Sequence, residues 1–380
     1  MSTTADVIVI GGGTMGTAAG WELARSGQKV IVLERFSHVH SFGSHGGKTR
    51  IFRHNYAEGA QYVPWALRAT SLWGELQERH PEVPFVFQSG SLDISTTDGV
   101  RAQHARASAQ EYGLPYEWLS GKEVNERFPA WNLPDDWNAC LDPTAGFLVV
   151  SPALKALATE MIAAGGELRT EEQVLSWSES THGVTVTTDK GEYSADKLIV
   201  TAGAWNGGIL GDLGLPLEVR RKPVFWFETE DESLFTHDRF PTYVIDYGAE
   251  EFYGLPVYAD PGLKTGIHSG GNIVNPEAID REVHAEDITP SFRAFVEQRF
   301  HGVKLNVVDS AVCMYTMTPD EHFIIDRYPG KERVIYAAGF SGHGFKFTPV
   351  VGEYLASLAT DEHAEVLTWF QYERFLQSPE

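Results

Sequence analysis

The sequence predicts an α/β protein with an α+β insert: a parallel sheet flanked by helices, interrupted by an antiparallel-sheet segment. A strand, glycine turn, helix and second strand open the chain over residues 6–34. Between Leu215 and Tyr315 the pattern changes to closely spaced strand-like runs that are typical of an antiparallel sheet. An α/β pattern returns after Val334, so we expect C-terminal pieces to complete the first sheet. A chain of 380 residues is also long enough for two domains.

The N-terminal unit carries a dinucleotide-binding motif. The run DVIVI (6–10) reads as a buried parallel strand, and a G-x-G-x-x-G follows at Gly11, Gly13 and Gly16. These glycines permit a tight turn, backbone approach to a pyrophosphate and close helix packing, respectively. The next strand ends at Glu34, where a carboxylate accepts hydrogen bonds from a ribose. The unit predicts a Rossmann-like site without separating FAD from NAD.

The rest of the chain divides into predicted elements. The segment 37–53 has glycines, histidines and cations without periodicity, and we interpret it as a functional loop. The predicted helices and strands are an amphipathic helix around 69–76, strands at 85–88 and 91–94, a helix over 152–164, strands at 184–188 and 197–203, and a strand at 334–338, with a glycine-rich turn at 339–347 and a helix over 349–358.

Composition limits the partners. The net charge of -22 argues against nucleic acid and anionic membrane surfaces, and suits small ligands. An anionic ligand then needs a local cluster of cations. Only Cys140 and Cys313 could form a disulfide, which favours the reducing cytoplasm. We expect no secretion leader and no membrane span, because no basic leader or long apolar run is present.

Three stretches resemble the monomeric sarcosine oxidase and N-methyltryptophan oxidase family of D-amino-acid-oxidase-like flavoenzymes. They read GSHGGKTRIFRHNYAEGAQYVPWALRA (43–69), AVCMYTMTPDEHFIID (311–326) and AAGFSGHGFKF (337–347). The resemblance extends over nearly the whole chain, including LKTGIH and LIVTAGAWN. It implies an FAD-binding Rossmann-like domain (1–84, 147–214 and 318–380) interleaved with an antiparallel-sheet substrate domain (85–146 and 215–317).

The resemblance gives Cys313 a role that its surroundings alone leave open. A thiol between Val312 and Met314 is either a small core residue or a nucleophile. In the family this cysteine bonds to the 8α-methyl carbon of the flavin, which implies FAD attached covalently through Cys313. Cys140 has no such context and is interpreted as structural.

The resemblance also implies the substrate site. Arg53 and Lys346 match the cations that bind the substrate carboxylate, and each charge-assisted hydrogen bond contributes about 1.5–3 kcal/mol. Lys264 matches a lysine at the reactive edge of the flavin, where a positive charge stabilises superoxide as O2 is reduced. His268 matches the active-site histidine, and Tyr253 and Tyr315 are predicted to wall the pocket. Taken singly, an arginine or lysine is usually an exposed surface charge, His268 is equally consistent with a structural histidine, and the two tyrosines with an aromatic core. No metal is expected.

The motif and the resemblance together predict the cofactor contacts. Arg50 and Thr49 are expected beside the flavin, with Arg50 counted among the catalytic residues along with Lys264 and His268. The predicted cofactor-binding residues are Gly11, Gly13, Thr14, Met15, Gly16, Glu34, Arg35, Ser44, His45, Thr49, Arg50, Val174, Cys313, Gly342, Gly344 and Lys346.

One loop departs from the family pattern. The relatives often read GSHHGDTR where this chain reads GSHGGKTR, so Gly46 replaces a histidine and Lys48 replaces an acid. These changes put the rate, the redox potential and the efficiency of flavin attachment in question.

The implied reaction is oxidative demethylation of sarcosine or a related N-methyl-L-amino acid, a CH–NH oxidation with O2 as acceptor. The products are the amino acid, formaldehyde and H2O2. N-methyl-L-tryptophan, N-methylalanine and cyclic secondary amino acids stay open as alternative substrates. A flavin-binding sensor without enzymatic activity stays open as an alternative function. Lys264 argues against a dehydrogenase with another acceptor. The family also implies a monomer.

Overall fold

The computed structural model describes residues 3–376. In chain order the strands are β1 (Thr3–Ile10), β2 (Val30–Leu33), β3 (Thr49–Phe52), β4 (Val86–Gln88), β5 (Ser91–Ser95), β6 (Glu117–Ser120), β7 (Asn138–Asp142), β8 (Gly146–Val149), β9 (Glu167–Arg169), β10 (Val174–Ser180), β11 (Gly183–Thr188), β12 (Glu192–Val200), β13 (Glu218–Thr229), β14 (Thr242–Tyr247), β15 (Glu250–Leu255), β16 (Leu263–Ile267), β17 (Val303–Met317), β18 (Ile324–Arg327) and β19 (Val334–Ala338). The α-helices are α1 (Thr14–Arg25), α2 (Val63–Arg79), α3 (Arg101–Tyr112), α4 (Gly121–Arg127), α5 (Val150–Ala163), α6 (Asn206–Ile209), α7 (Pro290–Arg299) and α8 (Thr348–Thr360).

Sheet I is built around β1. Parallel neighbours flank it, β2 on one side and β12 on the other, and β9 and β19 extend the parallel part. An antiparallel hairpin of β10 and β11 joins the first half of β12. Val7, Ile8 and Val9 are all buried, because α1, α5 and α8 cover one face of the sheet and other apolar segments cover the second. Burial on both faces explains why β1 is a continuous β-branched run.

Sheet II has the strand order β17-β13-β16-β15-β14-β5-β7-β6. The predicted antiparallel pattern holds for its neighbours except for β5 and β14, which run parallel. The exception follows from chain order, since the segment joining β5 to β14 passes through sheet I and no hairpin fixes their directions. The run RKPVFWF on β13 alternates: Phe225 and Phe227 enter the aromatic core with α7, whereas Val224 and Trp226 pack with Cys313.

Sheet III is a small sheet of β3, β8 and β4. Its strand β3 corrects the interpretation of residues 37–53 as loop throughout, because Thr49–Phe52 pairs antiparallel with β8. Four residues with mixed polarity give no periodic signal, so this strand depends on its tertiary partner.

The fold class is therefore the mixed α/β arrangement that the sequence predicts. We keep the two-domain division as a proposal: the strands of sheet I all fall within the segments assigned to the FAD-binding domain, and those of sheet II within the other two. None of the helices described over residues 3–376 is long and apolar enough to cross a bilayer.

Candidate active site

A cavity opens where β1, β12 and β19 of sheet I end, and it reaches the end of β17 in sheet II. Thirteen of the residues predicted from the sequence to bind cofactor or substrate line it: Gly11, Gly13, Thr14, Met15, Glu34, Arg35, Ser44, His45, Arg50, Val174, Tyr315, Gly342 and Gly344. The cavity therefore lies at the carboxyl ends of parallel strands, where α/β proteins bind dinucleotides.

The glycine motif shapes one end of this cavity. Gly11 has φ +97°, and a Cβ there would lie 2.5 Å from the carbonyl oxygen of Thr201. A Cβ on Gly16 would lie 1.9 Å from the Gly11 oxygen, so this glycine serves helix packing and does not line the cavity. A Cβ on Gly13 would meet no atom within 4 Å, and no side chain caps the start of α1. The open backbone and free N–H groups fit a pyrophosphate.

The acidic end of β2 is also arranged as a ribose site requires. Glu34 is buried, and its Oε1 accepts a hydrogen bond from the Phe36 N–H at 2.9 Å. Arg35 lines the cavity, but its guanidinium is paired with Glu277 through two contacts of 2.5 and 2.9 Å. Glu277 belongs to the segment that follows β16, so this ion pair ties that segment to sheet I.

Buried polar atoms of the cavity wall that have no hydrogen-bond partner among residues 3–376 include Nε2 of His45 and Oγ1 of Thr316. Burial lowers the pKa of His45 to about 3, so the ring is neutral. Because buried polar groups are normally paired, these atoms indicate a polar ligand at this point, and the residues fit a dinucleotide.

Cys313 lies beneath the loop 43–48, on the face of β17 turned toward Val224 and Trp226. Its sulfur would be 3.2 Å from a Cβ on Gly47 and 3.5 Å from one on Gly46. The side chain is 5% exposed and does not line the cavity described above. Cys140 is instead buried against α3, and burial raises the pKa of its thiol to about 12.

Two cations hold the loop over Cys313. Arg50 donates to the carbonyl oxygens of Thr49 and Ser44, both at 2.8 Å, and to that of Gly46. Lys264 donates to the carbonyl oxygens of Gly47 at 2.5 Å and Thr49 at 2.7 Å, and to Oγ1 of Thr49 at 3.0 Å. Thr49 is therefore a partner of Lys264 and does not line the cavity. Burial, followed by the charge of Arg50, lowers the pKa of Lys264 well below its usual value.

Arg53 and Lys346 meet at the ring of Tyr56. The guanidinium carbon of Arg53 lies 4.9 Å from the ring centre, and Nζ of Lys346 lies 5.2 Å from it. Lys346 donates to the carbonyl oxygen of His343 at 2.8 Å and to the Tyr56 hydroxyl at 3.2 Å. Burial, then the charge of Arg53, lowers the pKa of Lys346 to about 7.

Aromatic groups form a wall around the end of sheet II. Nδ1 of His268 lies 3.3 Å from the Tyr315 hydroxyl, and the rings of His268 and Tyr253 are 6.1 Å apart. Burial lowers the pKa of His268 to about 3. A Cβ on Gly342 would fall 2.4 Å from the Tyr315 ring, so only glycine lets the turn 339–344 approach this wall.

Sequence reasoning missed Lys222, a third buried lysine in this region. Its Nζ donates to the carbonyl oxygens of His268 and Ser269, both at 2.7 Å, and lies 5.0 Å from the centre of the Tyr315 ring. Lys222 stands opposite Cys313 in the pairing of β13 with β17. The alternation in RKPVFWF predicts two faces, but the sequence gives no sign of the pairing register. Also missed were Trp205 and Met314, which line the cavity.

The described residues 3–376 contain no cluster of three or more histidine, cysteine, aspartate or glutamate side chains arranged to hold a metal ion. The polar groups of this site include the cations Arg53, Lys264 and Lys346, the neutral imidazole of His268 and the phenols of Tyr253 and Tyr315, and Arg53 is itself paired with Glu58 and Asp93. Such a site can bind an anionic ligand close to a bound dinucleotide.

Comparisons with known proteins agree with this geometry. The family model described as FAD dependent oxidoreductase (DAO) matches residues 6–358. The chain is 41% identical to a monomeric sarcosine oxidase of Bacillus sp. (strain B-0618), covering 94% of this chain and 93% of that protein. It is 36% identical to an N-methyl-L-tryptophan oxidase of Yersinia pestis (strain Pestoides F), covering 97% and 99%. Among solved structures, the Tyr258Phe mutant of NikD, an amino acid oxidase, superposes with a TM-score of 0.85 at 25% identity over 97% of both chains.

The matched family spans both ends of the cavity, from the glycine turn after β1 to helix α8. Full-length similarity, the shared fold and the dinucleotide cavity point to one conclusion. The chain belongs to the FAD-dependent oxidoreductase (DAO) family.

Proposed function

We propose that this protein is an oxidase that demethylates sarcosine or a closely related small N-methyl-L-amino acid. The amino acid, formaldehyde and H2O2 are the products, and O2 is the electron acceptor. The observation that carries the proposal is the meeting of two buried cations, Arg53 and Lys346, at Tyr56, where they would bind the substrate carboxylate in an otherwise acidic protein.

The cofactor is FAD, and we propose that it is bound covalently through Cys313. Gly13 and the start of α1 would hold the pyrophosphate, and Glu34 the ribose. When bound, FAD would supply the acceptor for a hydride equivalent from the substrate C–H bond and the carrier that passes two electrons to O2. Cys313 fits the attachment because its sulfur lies beside the backbone of Gly46 and Gly47, where no side chain intervenes.

The chain's own groups bind and orient the substrate. Arg53 and Lys346 bind the carboxylate, and their positive charges disfavour protonation of the neighbouring amine, which must be neutral to be oxidised. His268 is held neutral, and with Tyr253 and Tyr315 it walls the space for the N-methyl group. Lys264 would place positive charge beside the site where O2 accepts its first electron.

The burial of the binding cations supports a small substrate. Arg53 is 4% exposed and Lys346 is 6% exposed, so a ligand bound to both would be enclosed by the protein, which favours a small ligand. We also propose that the protein works as a monomer, like its relatives named monomeric sarcosine oxidase, in a reducing compartment where Cys140 and Cys313 form no disulfide.

A substrate panel read out by peroxide tests this function. Sarcosine, N-methyl-L-alanine, N-methyl-L-tryptophan, L-proline and L-pipecolate are supplied at matched concentrations, and O2 uptake is followed in parallel. We expect the highest kcat/KM with the smallest N-methyl amino acids and one H2O2 for each O2 consumed. Substrate oxidation without H2O2 would contradict the oxidase assignment, and a preference for N-methyl-L-tryptophan would contradict the substrate size.

A further inference from the structure

A second buried arginine lies behind Arg53. Arg101 is the first residue of α3 and is 5% exposed. Its position is fixed by the start of the helix, where Asp246 accepts the N–H groups of Val100 at 2.7 Å and Arg101 at 3.1 Å. The Oγ of Ser95 accepts the next N–H, from Ala102, at 2.9 Å.

Arg53 and Arg101 share two carboxylates. Oδ1 of Asp93 accepts from Nη1 of Arg101 at 2.8 Å and lies 3.4 Å from Nη1 of Arg53. Oε1 of Glu58 accepts from Nη2 of Arg53 and lies 3.4 Å from Nη2 of Arg101. Arg101 also donates to Glu251 at 3.0 and 3.2 Å. We call these five residues the Arg53–Arg101 cluster.

Each shared carboxylate uses one oxygen only. Oδ2 of Asp93 and Oε2 of Glu58 are buried and have no hydrogen-bond partner among residues 3–376. Both carboxylates therefore depend on the two arginines for compensation of their charge. If Arg101 is removed, Arg53 alone must compensate them, since leaving a buried carboxylate unpaired is costly.

A substrate carboxylate competes with Asp93 and Glu58 for Arg53. Arg101 weakens the attraction of Asp93 and Glu58 for Arg53, because it pairs with both carboxylates and adds a positive charge behind the site. Asp93 lowers the affinity for a substrate carboxylate, because it pairs with Arg53 and adds a negative charge. The two residues should therefore shift the affinity for an anionic ligand in opposite directions.

We infer that Arg101 is a positioning residue that sets the affinity of Arg53 for the substrate carboxylate by sharing Asp93 and Glu58. The inference rests on the proposed function, in which Arg53 binds that carboxylate. Asp93 and Glu58 are the residues that limit this affinity, because both accept from Arg53.

The test is a titration of the holoprotein with (methylthio)acetate, a carboxylate that cannot be oxidised as an amine, followed by the change in the flavin absorption spectrum. We expect Arg101→Met to raise the Kd about tenfold or more, because Arg53 must then compensate the buried carboxylates of Asp93 and Glu58 without Arg101. Asp93→Asn should lower the Kd several-fold, and the double variant should return close to wild type. Arg101→Lys, which keeps the charge, should recover most of the affinity and also guards against misfolding of Arg101→Met.

Arg106→Met is the matched control, because Arg106 lies on the same helix and stacks over Trp118, 4.1 Å from the ring centre, outside the cluster. Its Kd should equal that of wild type. If Arg101→Met and Asp93→Asn shift the Kd in the same direction, or neither shifts it, this inference is overturned while the proposed function stands. If wild type itself binds neither (methylthio)acetate nor any N-methyl amino acid, the proposed function fails and this inference falls with it.

Discussion

Arg53 and Lys346 stand at opposite ends of the sequence and meet at one phenol ring, with the guanidinium carbon 4.9 Å and the ammonium nitrogen 5.2 Å from the centre of Tyr56. Arg53 follows β3 in sheet III, and Lys346 precedes α8, which packs on sheet I. The shared site therefore exists only in the folded protein. Under the proposed function, this site supplies the local positive charge that an anionic substrate needs in a protein with a net charge of -22.

Removing either cation should weaken substrate binding more than turnover. We expect Arg53→Met and Lys346→Met each to raise KM for sarcosine about 10- to 100-fold, because a charge-assisted hydrogen bond contributes about 1.5–3 kcal/mol. Steady-state kinetics measure the effect. Lys304→Met is the control, since Lys304 is an exposed lysine that pairs with Glu228. If KM is unchanged in both active-site variants, Arg53 and Lys346 do not bind the substrate carboxylate.

The covalent bond to FAD should depend on one cysteine. After precipitation in acid, wild type and Cys140→Ala should give a yellow pellet, whereas Cys313→Ala should release its flavin into the supernatant. The thiol of Cys313 faces the loop 43–48, while that of Cys140 is buried against α3. A white pellet from wild type, or a yellow one from Cys313→Ala, is the result that would refute attachment at Cys313.

Two adjacent glycines over Cys313 should differ sharply in their tolerance of a side chain. Gly47 has φ +82°, and a Cβ there would lie 3.2 Å from the sulfur of Cys313. Gly46 has no positive φ, and its Cβ would lie at ordinary contact distances of 3.4 and 3.5 Å. We expect Gly47→Ala to lower the free energy of unfolding by about 1–2 kcal/mol and to reduce the attached fraction of flavin. Gly46→Ala should change neither quantity, as denaturant unfolding and the acid pellet would report.

Acid should destabilise the protein through its buried histidines. Burial lowers the pKa of His343 to about 3, whereas the unfolded chain has the ordinary value of 6.5. Between these values the unfolded state binds more protons, so stability is complete above about pH 6.5 and falls as the pH decreases toward 3. His343→Gln should make the free energy of unfolding less steep over this range. His363→Gln, at an exposed position, should leave the slope unchanged, and equal slopes for both variants would contradict the assignment.

Lys264 should act on the reaction with oxygen. Lys264→Met removes the buried ammonium, and we expect the reduced enzyme to react with O2 about 100-fold more slowly, the order of loss for a preorganised electrostatic group. Reduction by substrate, measured anaerobically, should change much less. Only the protonated lysine carries charge, so the oxygen reaction of wild type should slow as the pH rises through the lowered pKa of Lys264. If Lys264→Met and wild type react with O2 at the same rate, Lys264 has only a structural role, as the donor to the carbonyl oxygens of Gly47 and Thr49.

Local sequence signals predicted the parts of the fold that depend on neighbouring residues. The glycine turn at 11–16, the strand β1 and the helix α1 follow from spacing within one unit, and the structure has them. The sequence predicts loop at β3, because its four residues become a strand only through pairing with β8. The parallel pairing of β5 with β14 is equally a product of the tertiary path of the chain.

The site also has features that the sequence predicts and features that only the tertiary structure determines. Resemblance pointed to Arg53 and Lys346, yet nothing local could show that Arg53 shares carboxylates with Arg101 through Asp93 and Glu58. Arg35 was expected at the cofactor, and the structure shows its charge paired with Glu277, a residue distant in sequence. Pairing between buried charges is decided by which loops meet, and that information lies in the fold.

Anaerobic mixing of the purified yellow protein with sarcosine tests the central claim most directly. The account predicts that the absorption band of the oxidised flavin disappears with sarcosine, disappears much more slowly with Arg53→Met, and persists with dimethylamine, which lacks the carboxylate. Chemical reduction with dithionite shows that the flavin can be bleached. If dithionite bleaches the flavin and no N-methyl amino acid does, the account of a carboxylate-binding amine oxidase is wrong.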